Sequence, residues 1–336
     1  MSFWHSRDPD ALLSTQHPTT YADRLRIRQP GDARFALGPH VDGGSVERWE
    51  EEGYGKGKVF DKVWQGQWER FDPWEASCRL PVVSDMYQGV GACSMFRMAQ
   101  GWLSMSATGA HEGTLLVNPL LRLATAYYLL RPFFSAKRQA PDAPGFLSSD
   151  NWTMDGEQTS WVQGAMPGRG QDLNAVLHPH LELEKTMVHV PRVRPGDYVA
   201  WHCDSKFLSP SSARCSRAVC ADSSCSAIHA VDKVHGGKTD SSVLYIPACP
   251  LTELNAQYLA RQRDAFLSGV PAPDFGGGQG ESNHVGRPTV DDVAKIAGPE
   301  GMRAFGLKEW DSSEEGLRQG QREVLDRANK ILGFYM

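Results

Sequence analysis

Eight short runs of alternating or β-branched residues, most of them bounded by Gly, Pro or Asp, set the strongest limit on how this chain can fold. Runs of this length and pattern predict strands rather than helices. Because they do not alternate regularly with helices, we expect antiparallel pairing in two sheets. The prediction is a mainly β fold with flanking helices, a jelly roll of the cupin type. The predicted strands cover residues 25–28, 34–42, 95–106, 114–118, 187–193, 198–203, 228–231 and 242–246.

The predicted helices flank these strands. Apolar residues recur at helical spacing over residues 120–130 and 252–267. Residues 50–90 contain a further helical pattern and several tryptophans, and we expect this insertion either to pack as a subdomain or to form a lid over a substrate pocket. The β-rich domain is expected to span residues 1–270. A C-terminal loop and helical tail, residues 271–336, is expected to pack on it.

Charge and hydropathy argue against two kinds of partner. The chain has 35 Lys and Arg against 40 Asp and Glu, a net charge of −5, so it lacks the cationic surplus of a protein that binds nucleic acid. Its longest apolar stretch, residues 120–134, contains Arg122 and Arg131 and is shorter than the roughly 20 residues that span a membrane. With an odd number of cysteines, seven, and no signal-like start, a cytoplasmic location is expected.

The segment GPHVDGG at residues 38–44 is the first candidate for chemistry. Alternate residues of a strand point to the same face, so His40 and Asp42 would present an imidazole and a carboxylate side by side. Together with a distant histidine, such a pair forms the 2-His-1-carboxylate set of mononuclear Fe(II) oxygenases. The pattern H-x-D recurs by chance, however, and needs further support.

Three alternatives remain open for the metal ligands. His229 lies among apolar residues in a predicted strand and is the preferred distant histidine. His235, beside two glycines, suits a loop better and ranks second. A rival H-x-D pair, His202 and Asp204, ends another predicted strand, and it could instead make supporting hydrogen bonds.

Five ordered motifs, at residues 38–49, 96–102, 113–119, 195–204 and 228–237, resemble those of the family termed domain of unknown function 1479. That family is similar to the Fe(II)/2-oxoglutarate-dependent oxygenases of the clavaminate synthase-like and phytanoyl-CoA hydroxylase-like superfamily. The likeness covers most of residues 1–270. It implies a double-stranded β-helix, with His40, Asp42 and His229 as ligands of Fe(II). It also implies 2-oxoglutarate and dioxygen as co-substrates and a small-molecule substrate that is hydroxylated, desaturated or cyclised.

The chain departs from this pattern in two places. Family members look longer at the amino end, so we expect this chain to begin inside the usual domain. Residues 206–227, rich in Ser, Cys and Ala, look like an insertion between the strand that ends near His202 and the strand of His229. We expect this segment to loop out, since otherwise it would displace His229 from the metal.

The resemblance requires a cation for the distal carboxylate of 2-oxoglutarate, ideally an arginine. The last predicted strand contains no arginine. Lys238 and Arg97 are the candidates, and Ser242 could add a hydroxyl. Arg97 has a competing role as a buried ion-pair partner.

Other functions remain open at this stage. The same fold could be a non-catalytic binding protein, or a cupin-like metal enzyme that does not use 2-oxoglutarate. Four cysteines could also bind a structural zinc ion, although their spacing is wider than that of paired zinc knuckles. These are Cys203, Cys215, Cys220 and Cys225.

Overall fold

The computed structural model of the protein describes residues 4–34, 36–89, 93–138, 140–202, 228–275 and 278–335. The strands are β1 (Ser14–Thr19), β2 (Leu25–Arg28), β3 (His40–Val41), β4 (Ala99–Ser104), β5 (Leu115–Val117), β6 (Phe134–Ala136), β7 (Trp152–Met154), β8 (Gln171–Asp172), β9 (Val188–His189), β10 (Tyr198–His202), β11 (His229–Val231), β12 (Ser241–Tyr245) and β13 (Cys249–Leu251). The α-helices are α1 (Asp61–Trp64), α2 (Leu121–Leu130), α3 (Leu183–Thr186), α4 (Glu253–Ser268), α5 (Val290–Ala304) and α6 (Gln319–Ile331).

Two antiparallel sheets form the body of the protein. One has four strands in the order β10-β4-β12-β2, and the other has five in the order β8-β3-β11-β5-β9. Two further pairs, β1 with β13 and β6 with β7, stand apart from them. The fold therefore combines sheets and helices, and the described strands do not close into a barrel.

The two sheets face each other across a shared apolar core. Trp102 of β4 and Trp201 of β10 pack with Leu115 and Val117 of β5, and all four side chains are buried. Because side chains alternate along a strand, the neighbouring residues of these strands point to the outer faces of the two sheets. The inner faces also line the cavity described below.

The described part of the predicted insertion, residues 50–89, forms short turns of helix rather than one long helix. Only one of these turns in the described residues, α1, is α-helical; the others are 3₁₀ turns. Glycines at 53, 55, 57 and 66 interrupt the segment. Phe60 and Val63 are buried in a cluster with Tyr128 and Leu129 of α2, so these residues pack as core. Further along, residues 82–85 line the cavity and contribute to its wall.

The last helix, α6, packs against α4. Thr252 caps the start of α4 by accepting a hydrogen bond from the Asn255 amide, and Gly269 ends the helix in the left-handed conformation. Leu259 of α4 packs with Leu325 of α6 and with Trp310, which is almost fully buried. The region after residue 278 is thus joined to the body through an apolar core of its own.

We expect acid to destabilise the protein through His178. This side chain is fully buried. Burial, together with the positive charge of Arg131, lowers the pKa of His178 to about 4 from an ordinary value of 6.5. Between these two pH values the unfolded chain binds a proton that the folded protein excludes. The free energy of unfolding should therefore fall by about 3 kcal/mol from this group as the pH drops from 7 to 4.

Urea unfolding at pH 7 and pH 4 measures this contribution. Because glutamine does not titrate, a His178→Gln variant should lose about 3 kcal/mol less than the wild type over this range. A His284→Gln variant is the control, because His284 is exposed and should follow the wild type. Parallel pH dependence in all three proteins would contradict the assignment.

Candidate metal centre

The pairing of β3 with β11 brings two of the predicted ligands together. His40 lies directly opposite His229 in this antiparallel pair. Directly opposed residues point to the same face of a sheet, and the two imidazole rings are 4.2 Å apart. Val41, between the two residues of the H-x-D pair, points the other way into the core cluster with Tyr128.

Asp42 completes a group that we call the metal centre: His40, Asp42 and His229. Its Oδ1 lies 3.6 Å from Nε2 of His40, and its Oδ2 lies 3.3 Å from Nε2 of His229. The three ligand atoms all lie within 4.8 Å of one another. Metal–ligand bonds near 2.1 Å would separate neighbouring ligand atoms by about 3.0–3.4 Å, so these distances are close to those of a metal site.

The protonation states of the metal centre suit a cation. The Nδ1–H of His40 donates to the Gly38 carbonyl at 2.6 Å, which leaves Nε2 to face Asp42. Burial and the neighbouring His229 lower the pKa of His40. Burial alone would raise the pKa of Asp42, but the hydrogen bond and charge of His229 bring it well below its ordinary value. A neutral imidazole and an ionised carboxylate are the forms that bind metals.

Gln100 of β4 supports the carboxylate from the opposite sheet. Its Nε2 donates to Oδ2 of Asp42 at 3.0 Å. The buried Oε1 of the same side chain has no hydrogen-bond partner among the described residues and remains an acceptor at the cavity wall. Gln100 was not among the residues predicted from the sequence, because its only signal was an amide within a predicted strand.

The loop after Asp42 is held by a buried arginine. Arg48 is 1% exposed, and its two terminal nitrogens donate to the carbonyls of Asp42 at 2.5 Å and Gly44 at 2.7 Å. Gly43 and Gly44 have φ of 75° and 86°, a region that favours glycine. A Cβ at Gly44 would also lie 3.1 Å from the Ser84 carbonyl oxygen. Glycine at these two positions is therefore favoured by the backbone conformation, and at Gly44 by the lack of space for a side chain as well.

The metal centre opens into a cavity of about 900 Å³ between the sheets. Aromatic side chains of the four-stranded sheet form one wall, among them Trp102, Trp201 and Tyr245. Arg26 and Arg97 also line the cavity. It thus combines an apolar wall, a carboxylate–imidazole cluster and cationic side chains, as ligand-binding cavities do.

The other histidines considered from the sequence have different surroundings. His235 is buried, and both ring nitrogens lie at hydrogen-bond distance from backbone groups, Nε2 from the Thr239 carbonyl and Nδ1 from the Gly237 amide. His202 follows Trp201 on β10, and its ring stacks on Trp4 at 4.5 Å, outside the metal centre.

The three side chains proposed to bind the 2-oxoglutarate carboxylate also differ in whether they line the cavity. Arg97 lines the cavity, and its charge helps to lower the pKa of Asp42. Lys238 is exposed and lies outside the cavity lining. Ser242 is also outside the lining, whereas its neighbours Ser241 and Val243 on β12 belong to it.

Several sequence predictions fall outside the described residues. The segment 206–227 and the cysteines Cys203, Cys215, Cys220 and Cys225 lie there, as does Asp204 of the rival pair. Within the described parts of the chain, no helix combines the length and apolar character needed to cross a bilayer.

Comparison with known proteins identifies relatives that align with most of the chain. The uncharacterized protein YbiU of Escherichia coli K12 is 31% identical over 287 residues, which are 85% of this chain and 56% of YbiU. The crystal structure of GlcNAc Inducible Gene 2 from Candida albicans aligns with a TM-score of 0.78 at 31% identity, over 98% of this chain and 65% of that one. This chain therefore spans less than two thirds of the length of either relative.

A second solved structure belongs to a protein whose description names a class of enzyme. A Salmonella typhimurium LT2 protein, provisionally described as an oxidoreductase, aligns with a TM-score of 0.68 at 30% identity, over 90% of this chain and 61% of that one.

The family model Gig2-like matches residues 1–214 and 222–307. Since these matches cover most of its length, the chain belongs to the Gig2-like family, also termed domain of unknown function 1479.

Proposed function

We propose that the protein is a non-haem oxygenase that uses Fe(II) and 2-oxoglutarate to oxidise a small molecule. The observation that carries the proposal is the metal centre, in which His40, Asp42 and His229 bring two imidazoles and a carboxylate within 4.8 Å at the wall of a large cavity. This donor set is the facial triad of Fe(II) oxygenases. The provisional description of the Salmonella relative as an oxidoreductase supports the same class.

The strand arrangement supports a double-stranded β-helix, the jelly roll of cupin-like proteins. Eight strands, β2 to β5 and β9 to β12, build two facing antiparallel sheets with four of these strands in each. Along the chain, most successive strands change sheet. Double-sheet jelly rolls use eight strands in this way.

The residues of the metal centre fit Fe(II). His40 and His229 would bind through Nε2 and Asp42 through one oxygen, which leaves positions for 2-oxoglutarate and dioxygen. With these bound, the metal supplies oxidative decarboxylation of 2-oxoglutarate to succinate and carbon dioxide, while the second oxygen atom of dioxygen enters the substrate as a hydroxyl. Gln100 would hold the Asp42 carboxylate in place. The aromatic wall would exclude water and position the substrate.

Among the arginines that line the cavity, two are the candidates for binding the distal carboxylate of 2-oxoglutarate. Arg97 is one, as the sequence suggested. Arg26 is the other: on β2 it pairs with Val243 of β12, so it lies beside the strand where the anchor was expected. We favour Arg26, because Arg97 already acts on Asp42. Lys238 and Ser242, both outside the cavity lining, are less suitable.

Purified protein loaded with Fe(II) under anaerobic conditions tests the function. On addition of 2-oxoglutarate and air, we expect iron-dependent formation of succinate even without a substrate, because such enzymes turn over slowly when uncoupled. Oxygen uptake without succinate would favour a cupin-like metal enzyme that does not use 2-oxoglutarate. Fe(II) binding without either reaction would favour a non-catalytic binding protein.

Replacement of Arg26 by Gln should raise the KM for 2-oxoglutarate by about 10–100-fold, since a hydrogen bond to a charged group contributes about 1.5–3 kcal/mol. Metal affinity should stay unchanged. The matched variant Arg97→Gln should change the KM less. If Arg97→Gln alone raises the KM, the anchor is Arg97 instead.

A further inference from the structure

A second group of metal-ligand residues lies apart from the metal centre. His111, His189 and Asp232 each offer one ligand atom, and these atoms lie within 4.8 Å of one another. His111 precedes β5, His189 ends β9 and Asp232 follows β11, so three separate segments meet here. We propose that these residues, the surface cluster, bind a divalent ion of borderline softness, Zn²⁺, independently of the metal centre.

Backbone amides orient the carboxylate of the surface cluster. Asp232 is 7% exposed, and its Oδ2 accepts hydrogen bonds from the amides of Gly113 at 3.1 Å and Thr114 at 3.0 Å. Its Oδ1 lies 2.7 Å from Nε2 of His189. One oxygen is thus fixed by the main chain, and the other is presented to an imidazole, the arrangement that positions a carboxylate ligand.

The backbone also determines the position of the exposed imidazole of His111. His111 has φ of 63°, an uncommon conformation for a residue with a side chain. The Gly236 amide donates to its carbonyl at 2.9 Å and holds this turn. The His111 ring stands 4.4 Å from the ring of His189 in an edge-to-face arrangement. The fold therefore maintains an unusual local conformation that brings a third donor to the pair.

The donor set selects the metal. Two imidazoles and one carboxylate are typical zinc ligands, and the exposed side of the surface cluster leaves the fourth position for water. Such sites bind Zn²⁺ more tightly than Fe²⁺. On binding, zinc would replace the proton between His189 and Asp232, and their ligand atoms would separate from 2.7 Å to about 3.3 Å, the edge of a zinc tetrahedron.

Zinc stoichiometry tests the proposal. After equilibrium dialysis of the full chain against Zn²⁺, elemental analysis should find two equivalents in the wild type and one in His111→Gly. Glycine suits the positive φ of this position, so that variant should fold normally. A His189→Gln variant should also bind one equivalent. The exposed control His284→Ala should retain two.

Variants of the metal centre separate this proposal from the proposed function. A protein carrying both His40→Ala and His229→Ala should bind one zinc equivalent, and adding His111→Gly should reduce this to none. Zinc should raise the melting temperature of the double variant, and His111→Gly should abolish that rise. Retention of the same zinc content in His111→Gly and His189→Gln as in the wild type would overturn the surface cluster. Loss of one zinc equivalent in His111→Gly and in His189→Gln, but none in the protein carrying both His40→Ala and His229→Ala, would support the surface cluster and contradict the metal centre.

Discussion

Fe(II)-dependent succinate formation should fall by about 10³-fold or more in a His40→Ala variant, because the bound metal accounts for several kcal/mol of transition-state stabilisation. Asp42→Ala should have the same effect. His40, Asp42 and His229 form one cluster, so removal of any member leaves too few donors to retain the ion. Iron binding measured by equilibrium dialysis should fall together with activity.

Two control variants accompany this prediction. His284→Ala removes an exposed histidine and should leave turnover unchanged. His202→Ala removes the histidine of the rival pair and should lower stability but not iron binding. The His202 ring stacks on Trp4 and meets Trp74 edge-to-face. Full turnover in His40→Ala, or loss of iron in His202→Ala with the fold intact, would contradict the assigned ligands.

Replacement of Arg48 by Met should weaken iron binding by about 10–100-fold, although Arg48 is not a ligand. The guanidinium holds the carbonyls of Asp42 and Gly44, and its loss removes the donor from each of these part-buried acceptors. Lysine cannot reproduce the planar fork, so Arg48→Lys should recover only part of the affinity. Isothermal titration with Fe(II) under anaerobic conditions measures the change.

Arg79 offers a matched control for this variant. It is buried like Arg48 and donates to the Glu75 carbonyl at 2.5 Å, in a loop other than that of the metal centre. Arg79→Met should reduce the free energy of unfolding to a similar extent while iron affinity stays within about twofold. Equal losses of iron affinity in both variants would show that the effect reflects general destabilisation.

The sequence predicted those strands and helices whose own residues show periodic apolar spacing or cap residues. The strand at 25–28 is found as β2, and the helix at 252–267 is found as α4, Glu253–Ser268, because its cap residues reinforce the apolar spacing. The strand at 34–42 is reduced to β3, since Pro39 and the glycines around it interrupt pairing. Strands β1, β6, β7, β8 and β13 were missed. The last four have only two or three residues each, too few to show periodicity, and β1, Ser14–Thr19, is mostly polar and contains Pro18.

Contacts between distant segments lie beyond what local patterns can predict. Strand alternation predicted His40 and Asp42 on one face, but only the register of β3 with β11 brings His229 opposite His40. Gln100 reaches Asp42 from the other sheet, and Arg48 reaches back to its carbonyl. The Gln100 contact depends on how the two sheets face each other, and the Arg48 contact depends on how the loop of residues 42–48 folds. Single-sequence periodicity encodes neither.

The double pairing of β11 bears on how the family can vary in length. His229 opposes His40 on one side, and on the other side three successive residues of β11 pair with β5, His229 with Val117 at one end and Val231 with Leu115 at the other. A slip of one residue would turn the imidazole to the opposite face. Since β5 fixes this register, additions to the chain between β10 and β11 can accumulate during evolution without moving the donor atom.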